Sequence, residues 1–219
     1  MYNHASMSIA LITLISPTSL KTRSMINPDL LALRMATSPE WTTIVLNDFN
    51  LFLNDHAQAE KKASGMAMSM LSHYPDKPEL VSAMIDLAIE ELAHFREVIK
   101  LMQSRGLQLG TDEKDPYVNQ IRKQMRKGSE VYMLDRLLTA AIIEARGCER
   151  FGLIAKHHPD DKLRHFYQLI TDSEAKHHLL FIELASQYFS SSDIEIRLDE
   201  LLDIEATIIE ALPLRAALH

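Results

Sequence analysis

Leu87-Ala88-Ile89-Glu90-Glu91-Leu92-Ala93-His94-Phe95 and, much further along, Ile170-Thr171-Asp172-Ser173-Glu174-Ala175-Lys176-His177 decide how this chain folds. Each sets a Glu and a His three residues apart, so on a helix both side chains leave the same face about one turn apart. Each pair also interrupts an apolar stripe at 3-4 spacing. One stripe runs Leu80, Met84, Leu87, Glu91, His94, Val98, Leu101; the other runs Leu163, Tyr167, Ile170, Glu174, His177, Phe181, Leu184, Tyr188. Two further stripes carry a single Glu: Leu46, Phe49, Leu53, His56, Glu60, Ala63, Ala67, Met70, and Leu134, Leu137, Ala141, Glu144, Cys148, Phe151, Ala155. Such stripes are the inward seams of helices packed nearly parallel or antiparallel.

A carboxylate taken out of water loses several kcal/mol of solvation unless something compensates, and four on one core level repel one another. Divalent cations are the economical compensation. One Glu from each of two helices, with Glu-x-x-His from each of the other two, is the ligand set of the di-iron or di-manganese carboxylate bundle. The six residues are Glu60, Glu91, His94, Glu144, Glu174 and His177. Glu60 and Glu91 are 31 residues apart, Glu144 and Glu174 are 30 apart, which predicts two similar hairpins. Residues 106–128 then form the one long crossover of a ferritin-like topology.

Helix start signals recur at Asn27-Pro28, Ser38-Pro39, Lys77-Pro78, Asp115-Pro116 and His158-Pro159, with Asn27, Ser38 and Asp115 as caps. Gly106, Gly110 and Gly128 punctuate between segments. The pattern predicts an all-α protein: a short helix near 28–36, long helices near 39–72, 78–105, 129–157 and 159–189, a short crossover helix near 116–127, and a last one near 194–211. Additional helices thus flank the bundle at its termini and within the crossover. Residues 1–25 read as a loosely held Ser/Thr-rich extension, and 26–219 as a single ferritin-like di-iron domain.

The 219 residues are 47% hydrophobic and 24% charged, with 6 Gly and 8 Pro, too few turn formers for a β-sandwich or barrel. Cys148 is the single cysteine, so the sequence has no disulfide framework and no Cys-based metal module. No run approaches the ~18 apolar residues of a membrane span, and the chain reads as cytoplasmic. Net charge is −7, with 14 basic and 14 acidic residues in 1–127 against 9 and 16 in 128–219, so the deficit lies wholly in the second half. That leaves room for a basic patch in the first half.

His56 lies on a stripe one turn before Glu60 and reads as a core histidine bonded to a carboxylate or backbone group. Glu90, Asp172 and Ser173 are placed to hold the outer nitrogens of the ligand histidines. His178 points elsewhere on its helix. Cys148 reads as a packing residue, and Met66, Met68 and Met70 mostly as core. Carboxylate-rich, histidine-poor ligation suits iron or manganese, and the ligand set allows a monooxygenase, a catalase-like enzyme handling peroxide, or a ferritin-like iron-storage subunit. No Cys pair exists for an attached rubredoxin-type relay, so a reductase must be a separate protein.

Several stretches carry a more specific likeness: Asp55-His56-Ala57-Gln58-Ala59-Glu60-Lys61-Lys62-Ala63, Glu91-Leu92-Ala93-His94-Phe95, Asp115-Pro116-Tyr117, Ile143-Glu144-Ala145-Arg146-Gly147-Cys148-Glu149-Arg150-Phe151 and Ser173-Glu174-Ala175-Lys176-His177. Over roughly residues 26–190 the sequence resembles the tRNA 2-methylthio-N6-isopentenyladenosine hydroxylases, with no departure at the six ligand positions. The resemblance implies an oxygen-dependent non-haem di-iron monooxygenase that hydroxylates the isopentenyl group of the hypermodified adenosine beside the anticodon. It implies two iron ions per chain held by Glu60, Glu91, His94, Glu144, Glu174 and His177, with manganese or another divalent ion as a substitute. Dioxygen is then the co-substrate, and a separate reductase donates electrons to a monomer or small oligomer. Phe49, Phe52 and Phe95, with nearby Met residues, are candidates for an apolar prenyl channel. Arg122, Lys123, Arg126 and Lys127, with Lys61, Lys62 or Arg105, are candidates for a basic rim contacting tRNA phosphates.

Overall fold

The computed structural model describes residues 31–219, which fold into helices with no strand among them. In chain order these are α1 (Pro39–Asn47), α2 (Phe49–His73), α3 (Pro78–Ser104), α4 (Pro116–Arg122), α5 (Ser129–His157), α6 (Asp161–Tyr188) and α7 (Ser191–Ala211). The all-α class and the four-helix bundle with one long crossover, from α3 to α5, stand as expected. α2 pairs with α3 and α5 with α6, and the two hairpins meet through α3 and α6. No Cα of α2 comes within 8 Å of one in α5, so the bundle is open along that side. α1 leans on α5 and α2, while α7 crosses α5, α4 and α6.

Local chemistry sets the helix ends. The Ser38 hydroxyl accepts the Glu40 N–H, and the Asp115 carboxylate accepts the Val118 N–H at 3.1 Å. α3 closes on Gly106 at φ 71, with the Gly106 and Leu107 N–H groups donating to the Gln103 and Met102 carbonyls.

Four boundaries differ from expectation. The helix expected over 39–72 breaks at Asp48, whose carboxylate accepts the Leu51 N–H at 3.3 Å and caps α2. The crossover helix stops at Arg122 instead of 127, because the Arg126 N–H and guanidinium are both drawn to Asp135. α6 starts at Asp161, since Asp160 rather than His158 supplies the cap. Residues 32–38 are not helical; the rest of the short helix expected near 28–36, Asn27 and the extension 1–25 lie outside the described residues.

The core is divided in two. One apolar cluster holds Phe49, Phe52, Leu53, Val98, Met102, Phe151, Ile154, Leu163, Tyr167 and Ile170. The other holds Ala67, Met70, Leu80, Met84, Leu87, Leu134, Leu137, Ala141, Phe181 and Ala185, and extends onto α7. On every bundle helix the switch between them falls at the polar interruption: Glu60, Glu91, Glu144 or Glu174. The charged layer is therefore a structural plane across the whole bundle.

Candidate metal centre

The structure brings all six predicted residues together. Their ligand atoms form two groups, each with its atoms within 4.8 Å of one another: Glu60, Glu91, His94 and Glu174, and Glu91, Glu144, Glu174 and His177. The groups share Glu91 and Glu174. Each adds one Glu and one His from a single hairpin, Glu60 with His94 from α2–α3, and Glu144 with His177 from α5–α6. His94 Nδ1 lies 3.1 Å from Glu174 Oε1, 3.6 Å from Glu60 Oε2 and 3.7 Å from Glu91 Oε2. His177 Nδ1 lies 2.9 Å from both Glu91 Oε1 and Glu174 Oε2.

Ordinary hydrogen bonding satisfies only part of this cluster: His177 Nδ1 donates to Glu174 Oε2 at 2.9 Å, whereas Glu91 Oε1, Glu174 Oε1, His94 Nδ1 and His177 Nε2 are buried and lack a hydrogen bond. Buried polar atoms left over in this number are what bound cations would engage. Burial, then repulsion from neighbouring carboxylates, pushes Glu91 up to about 8 and raises Glu60 and Glu144. Burial opposes charge on His94 and His177, yet the hydrogen bonds they donate to Glu174 and its fellow carboxylates raise both to about 12. Glu174 is held down at about 2, its burial outweighed by the two imidazoles. The two imidazoliums thus supply the positive charge of the metal-free cluster, and a divalent cation in each group would supply it more fully while displacing their protons and those of the raised carboxyls. The donor set fits hard to intermediate divalent metals.

Neighbours fix the donors. His56 Nε2 is 2.6 Å from Glu60 Oε1, and its Nδ1 is 3.0 Å from the Tyr167 hydroxyl. Burial depresses His56 to about 3, so it is neutral, and Nε2–H donating to Glu60 with Tyr167 O–H donating to Nδ1 satisfies both contacts. Glu90 Oε2 lies 3.3 Å from His177 Nε2, and Glu90 Oε1 accepts the Ser173 hydroxyl. Asp172, also expected near a ligand histidine, instead accepts from Gln168 on its own helix. His178 belongs to neither group. Cys148 is half-buried, 3.6 Å from the Thr171 carbonyl, and burial raises its thiol to about 11.

A cavity of about 760 Å³ reaches Glu60, Glu91, Glu144 and Glu174 through the open α2–α5 side. Its apolar wall includes Ala59, Ala63, Met66, Met70, Val118, Met125, Ala140, Ile143 and Phe151, and Lys62, Lys114, Arg122 and Arg136 also line it. This corrects the expected channel: Phe49 and Phe52 belong to the core cluster on the other side of the charged layer, Phe95 packs against that cluster, and none of the three lines the cavity. Met66 and Met70 do line it, whereas Met68 is exposed.

The expected basic rim is only partly present. Arg122 lines the cavity, and Lys123 and Lys127 are exposed outside it. Arg126 is engaged by Asp135, and Arg105 donates to Asn50 and lies over the Phe49 ring, away from the mouth. Lys61 and Lys62 are paired with Asp112. Sequence reasoning missed Arg136, which carries no local signal, and the segment 216–219, which has no helical period. The Trp41 indole donates to Ala217 O, Asp55 accepts the Leu218 N–H, and Arg150 donates to Leu218 O. Leu218 and His219 thereby become cavity wall.

Two Glu helices facing two Glu-x-x-His helices, joined by one long crossover, define the ferritin-like carboxylate-bundle class of metal proteins. Residues 24–219 match the model of the family tRNA-(MS[2]IO[6]A)-hydroxylase (MiaE), and the chain belongs to that family. The tRNA 2-(methylsulfanyl)-N(6)-isopentenyladenosine(37) hydroxylase of Pseudomonas putida is 35% identical over 158 residues, 72% of this chain and 77% of that protein. Its namesake from Salmonella typhimurium is 33% identical over 155 residues, 71% of this chain and 56% of the longer relative. A solved structure described as Protein 43 with aldehyde deformylating oxygenase activity, from Synechococcus, superposes with TM-score 0.81 at 37% identity, covering 84% of this chain and 92% of that one.

Proposed function

We propose that this chain is an oxygen-dependent di-iron monooxygenase that hydroxylates the isopentenyl group of 2-methylthio-N6-isopentenyladenosine beside the anticodon of tRNA. The observation that carries the reading is an apolar-walled cavity running from the surface to four buried carboxylates, in a chain of this family. Glu60 and His94 would hold one iron and Glu144 and His177 the other, with Glu91 and Glu174 within reach of both. Iron bound there supplies dioxygen activation and insertion of one oxygen atom into a C–H bond, with two electrons and two protons delivering the second atom as water. A separate reductase supplies those electrons. Manganese or another divalent ion is an acceptable structural substitute, and the working form is a monomer or small oligomer in the cytoplasm. Among the described residues no helix is long and apolar enough to cross a membrane.

The chain's own groups do the positioning. Ala63, Met66, Ala140 and Ile143 offer the prenyl group an apolar sleeve that excludes water. An anticodon-loop base is already unpaired, so splaying it into the cavity costs less than extraction from a duplex. His56 keeps Glu60 oriented, and Glu90 with Ser173 keeps His177 oriented. The Synechococcus relative suggests a second reading, an aliphatic aldehyde substrate, but Arg122, Arg136 and Lys114 along the same cavity suit an anionic nucleotide better. A ferritin-like or catalase-like role needs no such cavity.

The test is nucleoside analysis of prenylated tRNA after incubation with iron-loaded protein, reductant and dioxygen. A hydroxylated nucleoside is expected. Its absence with two irons bound per chain refutes the assignment.

A further inference from the structure

Arg136 is a buried guanidinium, 9% exposed, on α5. Among the described residues no carboxylate lies within ion-pair distance of it. Its side chain has only neutral partners among those residues, the Ser69 hydroxyl at 3.5 Å and the Tyr74 hydroxyl. The Tyr74 and Tyr132 rings stand 5.8 and 5.9 Å from its central carbon and hold its plane. Of the other buried arginines, Arg146 pairs with Glu205 and Arg197 with Asp135, while Arg150 has no acid partner but is held by the Thr37 hydroxyl, the Leu218 carbonyl and the Trp41 ring. Of the acids lining the cavity outside the metal groups, Asp112 is engaged by Lys61 and Lys62, Asp115 by His219 and Asp55 by the Leu218 N–H, and exposed Glu113 makes no ion pair with Arg136.

A cation left without a counter-charge inside a protein is costly unless an anion arrives. Arg136 faces the cavity, so the anion arrives with the ligand. Eight residues separate Arg136 from Glu144, which also lines the cavity, and along one helix that is about 12 Å. This is the scale of an adenosine nucleotide measured from its N6 substituent to its backbone phosphate. We propose that Arg136 is the phosphate anchor of the cavity, its fork donating to the non-bridging oxygens of a phosphodiester flanking the modified adenosine. The inference rests on the reading of the cavity as a prenyl-adenosine site, and it assigns a substrate contact to a specific side chain.

The test is equilibrium binding of anticodon stem-loop RNAs to the metal-loaded protein, with and without the prenyl group. Each flanking phosphate is replaced in turn by a neutral methylphosphonate. For wild type, one replacement is expected to weaken binding about tenfold or more, the scale of a lost charge-assisted hydrogen bond. Arg136→Gln should weaken the all-phosphate RNA by a similar factor and show no further loss with that methylphosphonate, while Arg136→Lys recovers part of the affinity. Wild type indifferent to both replacements, or losses that multiply in the combination, overturns the anchor. Because the RNA is altered in unmodified protein, a poorly folded variant does not blur the result. An Arg136-dependent phosphate penalty that persists without the prenyl group, alongside absent hydroxylation, upholds the anchor and sinks the hydroxylase reading.

Discussion

Glu91→Gln is expected to change sign with metal. Without metal, Glu91 lies in the core with its carboxyl pushed to about 8, against an ordinary 4.5. Folding at pH 7 then forces the group to keep a proton that the unfolded chain releases. Over the interval from 4.5 to 7, at 1.36 kcal/mol per unit, the penalty approaches about 3 kcal/mol. Its direction is set by the raised folded value: the stability this group contributes is whole below about 4.5 and is lost as pH rises toward 8. A neutral amide escapes the penalty, so chelator-treated Glu91→Gln should melt above wild type by up to roughly 6–12 °C at pH 7, with the gain gone at pH 4.5. With metal the order reverses. Glu91 serves both groups, and a cation present at a hundred times its dissociation constant contributes about 2.7 kcal/mol that the variant forfeits. Scanning calorimetry in chelator and in manganous or ferrous buffer reads both arms. A variant that melts below wild type in chelator at pH 7, or a wild type whose melting ignores metal, refutes the reasoning.

The two-group geometry predicts unequal metal losses, measured by elemental analysis of reloaded protein: Glu60→Ala and His177→Ala should each retain about one ion, and Glu174→Ala none. Narrowing the sleeve with Ala63→Trp should abolish hydroxylation while leaving bound iron unchanged, and turnover by that variant would place the substrate elsewhere. Arg126→Ala should cost about 1 kcal/mol of stability, because buried Asp135 loses that guanidinium and keeps only Arg197 and the backbone N–H of residue 126, whereas Lys123→Ala and Lys127→Ala together should cost nothing in denaturant melts and only flatten the salt dependence of tRNA binding.

The bundle was legible because its signal repeats. Four stripes broken by Glu at one level, with the 31- and 30-residue intervals, leave few folds that bury them, and α3, α5 and α7 begin and end close to their expected positions. The break at Asp48 was harder to see, since the apolar period continues through it and only a side-chain cap marks the new helix. The cavity was illegible for a different reason. Phe49 and Phe52 are apolar and lie near the ligands in sequence, but they precede Glu60 along α2 by two turns or more, which puts them in the half of the core on the other side of the charged layer. What opens the site is the gap between α2 and α5, a property of two helices far apart in sequence. Arg136 carried no signal in the sequence because nothing local reveals that Tyr74, at the end of α2, stands over it. His219 entered the wall through long-range contacts to Trp41, Asp55 and Arg150 made by the residues before it.

The charged plane that splits the interior makes a bound cation part of the architecture as well as of the chemistry. A metal-free chain must hold two separate oily lobes together across a layer of costly buried carboxyls, so its susceptibility to protease is expected to gauge metal loading alongside turnover.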